Sequence, residues 1–166
     1  EADDYIISTA QRASDEGWDV SIFSADKDLF QIINGNIKII RPSRGVSDFK
    51  IYDKGSFVEE YGFEPGAMAD YLALVGDAVD NIPGVPGIGD KTAKDLIGKF
   101  GSLEGVFKNL DEVAKGRRAK LEENSSLAYA SRDLIIPQET ETVPLDELVM
   151  GEPDRELLTD LCTKLS

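Results

Sequence analysis

The sequence predicts an α/β fold: a partial parallel-type sheet with helices over residues 1–75, followed over 76–166 by a helical subdomain containing a helix-hairpin-helix. Three observations lead there. Short strand-like runs alternate with helical patterns in the first half, glycine and proline punctuate the stretch after Val75, and beyond Ser102 the chain reads as helix or loop. The boundary is placed near Gly76 to Asn81. No internal repeat or low-complexity segment interrupts this order.

The first residues read as a helix already under way, because Ile6, Ile7, Ala10 and Ala13 recur at helical spacing and Gly17 closes the element. Asp19 to Phe23 alternates like a strand, and after a small-polar turn Leu29 to Ile33 reads as a short helix. Asn36 to Ile40 and Phe49 to Tyr52 are further strand candidates, separated by the turn residues Pro42, Ser43, Arg44 and Gly45. Helices are expected at Lys54 to Tyr61 and, after Pro65 in a first-turn position, at Ala67 to Val75. Later, Asp133 to Ile136 and the stretch around Val143 could be extended. The last element, Pro153 to Leu165, is an amphipathic helix with Leu157, Leu158, Leu161 and Leu165 on one side; Cys162 near that stripe is expected in the core. Trp18, Phe23 and Phe100 are expected to pack in the core or at element ends.

Composition narrows the chemistry. With 166 residues and 41% hydrophobic content, one domain with a real core is possible. No apolar run approaches the roughly 20 residues of a membrane span and no basic leader precedes a short apolar stretch, so a soluble, cytoplasmic protein with no membrane partner is expected. The single cysteine excludes an internal disulfide framework. With no histidine, His-based triads and common zinc sites are excluded, and any metal must be a hard ion held by oxygen.

The net charge of −14 argues at first against a polyanionic partner, but its distribution argues otherwise. From Lys91 to Lys120 there are eight basic and four acidic residues, a local balance of +4. A basic face and an acidic remainder can coexist. The eight acids from Glu139 to Asp160, against Arg155 alone, read as a solvated face.

Three carboxylate clusters stand out: Glu1, Asp3 and Asp4; Asp26 and Asp28; Asp77 and Asp80. Asp26 and Asp28 follow a strand, and the crevice beyond the carboxyl ends of strands is where open α/β sheets bind ligands. Carboxylates gathered there without histidine suit Mg²⁺ or Mn²⁺. Seven like charges are costly to assemble without cations, so a site built from them implies metal.

Residues Ile82 to Ile97 read IPGVPGIGDKTAKDLI. Gly84, Gly87 and Gly89 free the backbone for positive φ and close approach, and the exposed N–H groups of the turn and following helix form an anion site. Lys91 and Lys94 lie within the first turn or so, while Ile88, Ala93, Leu96 and Ile97 pack the helix against its partner. Sequence-independent contact with a DNA backbone is the natural use, with Thr92 among the contacting residues.

Taken together, EADD at the start, ADKDLFQ from Ala25 to Gln31, ADYLALVGDAVDNIPGVPGIGDKTA from Ala69 to Ala93 and GSLE from Gly101 to Glu104 resemble the 5′–3′ exonuclease domains of bacterial DNA polymerase I, within the flap endonuclease, or structure-specific 5′ nuclease, family. The resemblance covers nearly the whole chain and implies a PIN-like nuclease core. It implies that Glu1, Asp3, Asp4, Asp26, Asp28, Asp77 and Asp80 help hold two Mg²⁺ ions, replaceable by Mn²⁺, and that Gly87 to Lys94 grips duplex DNA behind a 5′ flap or end. A K⁺ ion at the hairpin carbonyls, a polymerase on the same polypeptide, a nucleoid-associated bacterial setting and two-metal phosphodiester hydrolysis are also implied.

Members of that family carry, ahead of the EADD motif, a strand with a metal-binding aspartate, a second aspartate and a basic arch. The chain begins at Glu1, and is therefore expected to be a fragment, impaired alone, whose exposed sheet edge pairs with the preceding segment or with a second copy. Two other readings stay open: a catalytically inactive helix-hairpin-helix DNA-binding module, and an acidic divalent-ion-binding interaction protein.

Overall fold

The computed structural model of the chain describes residues 2–44 and 48–165. Helix α1 (Ala2–Asp15) buries Ile7, Ala10, Ala13 and Ser14, a stripe at helical spacing. It ends where Trp18 N donates to Ala13 O (2.9 Å) and Gly17 N to Ser14 O (3.0 Å), with Gly17 at φ 87°. Strand β1 (Val20–Phe23) then runs parallel to β2 (Ile37–Arg44), with Val20 opposite Ile37 and Phe23 opposite Ile40. Asn34 sets the entry to β2: its Oδ1 accepts from Asn36 N (2.8 Å) and Ile37 N (2.9 Å).

The sheet order is β1-β2-β3, and the expected parallel pairing holds for the first two strands. Strand β3 (Asp48–Tyr52) instead turns back antiparallel on β2, with an irregular register between Pro42 and Arg44. The connection is too short for the crossover that a parallel pair requires. Pro42 lies beyond the residues that β1 covers, where the missing N–H costs no ladder bond to that strand.

Helix α2 (Lys54–Tyr61) opens on a capping box, in which Asp53 Oδ1 accepts from Ser56 N (2.8 Å) and Ser56 Oγ accepts from Asp53 N (3.0 Å). Its Phe57 and Tyr61 join Phe30, Tyr52, Phe63 and Tyr71 in an aromatic cluster, Phe57 stacking on Tyr61 at 4.5 Å between ring centres. Helix α3 (Met68–Val75) buries six of its eight residues, which requires cover on several sides. That cover includes the 3-10 turn Asp28–Ile32 and the helices α4 (Asp90–Phe100) and α7 (Ser125–Ile135). Helices α5 (Leu103–Lys108) and α6 (Lys115–Glu123) complete the helical half, Leu103, Val106 and Leu121 being fully buried. One continuous core therefore extends from Ile7 to Ile135.

Asp133 to Ile135 is helical, not extended, because Ala128, Ser131 and Ile135 bury one face of α7 and packing overrides β-branched propensity. Helix α8 (Arg155–Leu165) forms as expected but buries none of its residues, and Cys162 is exposed, not in the core. Trp18 and Phe23 are more than half exposed; Phe23 meets Phe49 edge to face at 5.1 Å. Among the described residues no helix is long and apolar enough to cross a membrane.

Candidate metal centre and nucleic-acid interface

The acidic site begins where β1 ends. Ser24 Oγ accepts from Asp26 N (3.1 Å), and Asp26 Oδ1 accepts from Asp28 N (2.9 Å), so the chain turns sharply into the 3-10 turn that starts at Asp28. Leu29, Phe30 and Ile32 of that turn are buried and fix it to the core. Asp26 and Asp28 are thereby held at the carboxyl end of β1, half-buried, on an anchored scaffold.

A second tight loop brings the other acids. After α3, Asp77 and Ile82 pair through both backbone bonds (2.9 and 2.8 Å), and Asn81 takes the left-handed conformation at φ 58°. Asp77 Oδ1 accepts from Val79 N (2.8 Å), so its carboxylate also shapes the loop. Asp80 projects toward the β1 end. Carboxylate oxygens of Asp26, Asp28 and Asp80 all lie within 4.8 Å of one another.

A cavity of about 260 Å³ sits there, with Asp3 and Asp4 from α1 on the same wall system as Asp26, Asp28 and Asp80. Burial first, then the charges of Asp26, Asp80, Asp77 and Asp3, pushes the Asp28 carboxyl up to about 7. Lys27 Nζ stands 4.0 Å from Asp77 Oδ2 and supplies some counter-charge. Asp4 differs. Its Oδ1 accepts from Gln138 N (2.9 Å), and that amide holds the carboxyl below its ordinary range.

Of the seven acids singled out in the sequence, three form the tight cluster, Asp3 and Asp4 share the cavity, and Asp77 stands close enough to influence Asp28 electrostatically. Glu1 lies outside the described residues. Gln31, the last residue of the ADKDLFQ stretch, also lines the cavity, as do Ile136 and Pro137, which no motif marks. Gln31 Nε2 donates to Asp28 O at 2.8 Å and to Ile135 O at 3.4 Å, tying the turn to the end of α7. The donor set is oxygen only, converging from separate elements, and suits a hard divalent cation that retains water ligands.

The hairpin between α3 and α4 stands beside this cavity. Gly84 is at φ 63°, and a Cβ there would come within 2.4 Å of Gly76 N and 2.6 Å of Val75 C, so two stretches of backbone meet where any side chain would intrude. Gly87 is at φ 80°, whereas Gly89 is extended at φ −98° because it is the N-cap of α4. Gly84 and Ile88 are buried, so Ile88 packs the hairpin and its side chain is not a surface contact. Gly87, Gly89 and Lys91 are exposed, and Thr92 is half-buried.

Lys94 is already engaged: its Nζ lies 3.2 Å from Asp90 Oδ1 and 4.7 Å from the centre of the Tyr61 ring. Tyr71 donates its hydroxyl proton to the same Asp90 oxygen at 2.6 Å. That bond, with the Lys94 charge, keeps the Asp90 carboxyl below its ordinary range.

Two family profiles match the chain, "5′–3′ exonuclease, N-terminal resolvase-like domain" over residues 1–62 and "5′–3′ exonuclease, C-terminal SAM fold" over 63–156. The thermostable DNA polymerase I of Thermus aquaticus is 38% identical over 165 residues, covering 99% of this chain and 19% of that protein. A 5′–3′ exonuclease of Aquifex aeolicus is 39% identical over 129 residues, covering 78% of this chain and 43% of that one. The chain thus spans only a minor part of these relatives' length. Among solved structures, the flap endonuclease of bacteriophage T5, in a pseudo-enzyme–product complex with DNA and metal ions, matches with a TM-score of 0.70 at 21% identity, covering 81% of this chain and 49% of that one. That likeness concerns the fold.

Proposed function

The chain belongs to the 5′–3′ exonuclease family, and from that we propose that it is part of a structure-specific 5′ nuclease hydrolysing DNA phosphodiesters in replication and repair. The observation that carries this reading is the meeting of Asp26, Asp28 and Asp80 in one acidic cavity beside the hairpin. Residues 1–75 supply four of the cavity's five aspartates, and residues 76–166 supply Asp80, the apolar wall from Leu134 to Pro137, the hairpin and Asp77. Branched or duplex DNA with a 5′ flap or end is the substrate. A polymerase portion on the same polypeptide and a cytoplasmic, nucleoid-associated location belong to the same reading.

The residues fit two Mg²⁺ ions, with Mn²⁺ as a substitute: Asp26, Asp28 and Asp80 would ligate directly, with Asp3, Asp4 and Asp77 in support. When bound, such ions supply an activated water and neutralise charge on the scissile phosphate. The carboxylates act as ligands and not as general acids. Asp28, whose carboxyl burial and neighbouring acids push up, would hold an ion in its carboxylate form, Lys27 restrains Asp77, and the hairpin holds the backbone of the duplex through exposed N–H groups and Lys91. A K⁺ ion among the hairpin carbonyls would extend that hold.

Two measurements test the reading. Mn²⁺ titration followed by electron paramagnetic resonance should give saturable binding that falls at least about tenfold in Asp28→Asn. Equal binding by both forms counts against the metal centre. In a complete form of the protein, single-turnover cleavage of a labelled 5′ flap in Mg²⁺ should drop in Asp26→Asn while DNA binding is kept. Cleavage at the unaltered rate would overturn the assignment, and duplex binding with no metal dependence at all would favour the non-catalytic binding module.

A further inference from the structure

Gly87 has no side chain, and the space a side chain would take is filled from another helix. A Cβ on Gly87 would stand 2.1 Å from Lys120 Nζ, 3.0 Å from its Cε and 3.2 Å from its Cδ. The distal half of Lys120, from α6, therefore lies across the turn of the hairpin. Sequence distance hides this, since 33 positions separate the two residues.

Three lysines now surround the hairpin, and their situations differ. Lys94 is half-buried and engaged by Asp90 and the Tyr61 ring. Lys91 is exposed on the first turn of α4. Lys120 is exposed, and among the described residues no carboxylate lies within ion-pair distance of it. The nearby charge of Asp90 is taken up by Tyr71 and Lys94. On α6 itself, Arg118 pairs with Glu122 at 2.9 Å, while Arg117, one turn before Lys120 on the same face, is exposed.

We infer that Lys120 is a DNA-phosphate contact: lying over Gly87, it forms with Lys91 a two-sided clamp on one backbone strand, and Lys94 serves the packing of the hairpin instead. The inference rests on the reading that this hairpin binds DNA. It deepens that reading by adding a residue from a different helix. An ammonium held over a turn of exposed backbone, beside a helix start and without a carboxylate partner, is arranged to share an anion with that turn. The contact carries no base information, so it acts equally on all sequences.

Fluorescence anisotropy of this chain with a labelled 5′-flap duplex, over a series of KCl concentrations, tests the inference. Lys120→Ala and Lys91→Ala should each weaken binding and make the log–log salt dependence shallower by about one unit. Lys120→Arg should retain the slope, since the charge stays over the turn. Lys94→Ala should keep the slope but lower the melting temperature. If Lys120→Ala binds like the unaltered chain while Lys91→Ala loses a contact, the inference is overturned and the hairpin reading survives. If neither variant changes binding, or the unaltered chain binds no duplex, both are overturned. Because Lys120 is exposed, misfolding is not expected to confuse the result, and thermal melts of each variant verify that.

Discussion

Asp26 accepts the backbone N–H of Asp28 at 2.9 Å, so two of the cavity's acids are fixed to one another by the chain itself. The same carboxylate that would ligate a cation also holds the turn. These two duties can be separated by substitution. Asp26→Asn keeps an acceptor for the Asp28 amide and removes one charge beside the Asp28 carboxyl, whereas Asp26→Ala removes both. The Ala variant should lose about 1 kcal/mol of stability and the Asn variant little or none. Both should bind Mn²⁺ more weakly. Urea unfolding with parallel metal titrations checks the pair.

The raised carboxyl of Asp28 gives a pH dependence with a defined sign. Its folded-state value of about 7 lies above the ordinary 3.8, so its contribution is fully present below the ordinary value and is lost as pH rises through about 7. Without metal, stability should decline between those limits by on the order of 1–2 kcal/mol, allowing for solvent screening. Asp28→Asn should flatten this part of the profile. Saturating Mg²⁺ should reverse it, because a bound cation favours the carboxylate form. Urea midpoints across pH, with EDTA and with Mg²⁺, are the measurement; a flat profile for the unaltered chain would show Asp28 to be an ordinary surface acid.

Asp80 and Asp77 should not be equivalent. Asp80 shares the oxygen cluster, while Asp77 accepts from Val79 N and faces Lys27. Metal affinity should fall roughly a hundredfold in Asp80→Asn and about tenfold in Asp77→Asn, with DNA binding nearly unchanged in both. Calorimetric titration of the two variants, beside anisotropy on the flap duplex, separates the effects.

Gly84 and Gly116 make a contrasting pair. A side chain at Gly84 meets backbone at 2.4 Å in a left-handed conformation, and Gly84→Ala should cost roughly 2–4 kcal/mol. Gly116 sits in α6 with nothing within 4 Å of an added Cβ, and Gly116→Ala should gain about 0.5–1 kcal/mol. Thermal melts of both variants decide it.

The free side of β1 is the last testable feature. Among the described residues β1 pairs with β2 on one side only, and Tyr5, Ile6 and Trp18 are exposed around an apolar groove of about 510 Å³ beside α1 and β1, which Val143, Leu145 and Leu148 also line. An open edge with apolar surroundings favours strand addition. The chain should self-associate in light scattering, and Ser21→Lys with Trp18→Ser should shift it toward monomer. A monomer at all concentrations would show that the edge is adequately guarded.

Much of the candidate site was legible because its parts are local. Asp26 and Asp28 are two residues apart after a strand, and the Gly84 to Lys94 stretch declares a hairpin by its glycines. What was illegible depends on which element covers which. Spacing made Lys94 equivalent to Lys91, and only tertiary packing turns it toward Tyr61. The antiparallel β3 was within reach of the sequence, since the eight residues between Ile40 and Phe49 cannot carry a parallel crossover. Helix α8 has the predicted apolar face, but periodicity says nothing about whether a partner surface meets it.

Helix α8 gains nothing from the core, because every described residue in it is exposed. Eleven residues are too few to persist as helix in water on propensity alone. Its opening free energy is therefore near zero, and its amide hydrogens should exchange through local fraying, at rates indifferent to denaturant, while those of α3 wait for global unfolding. Helix α8 is in that sense a separate cooperative unit: it can gain or lose its helical turns without the core from Ile7 to Ile135 registering the event.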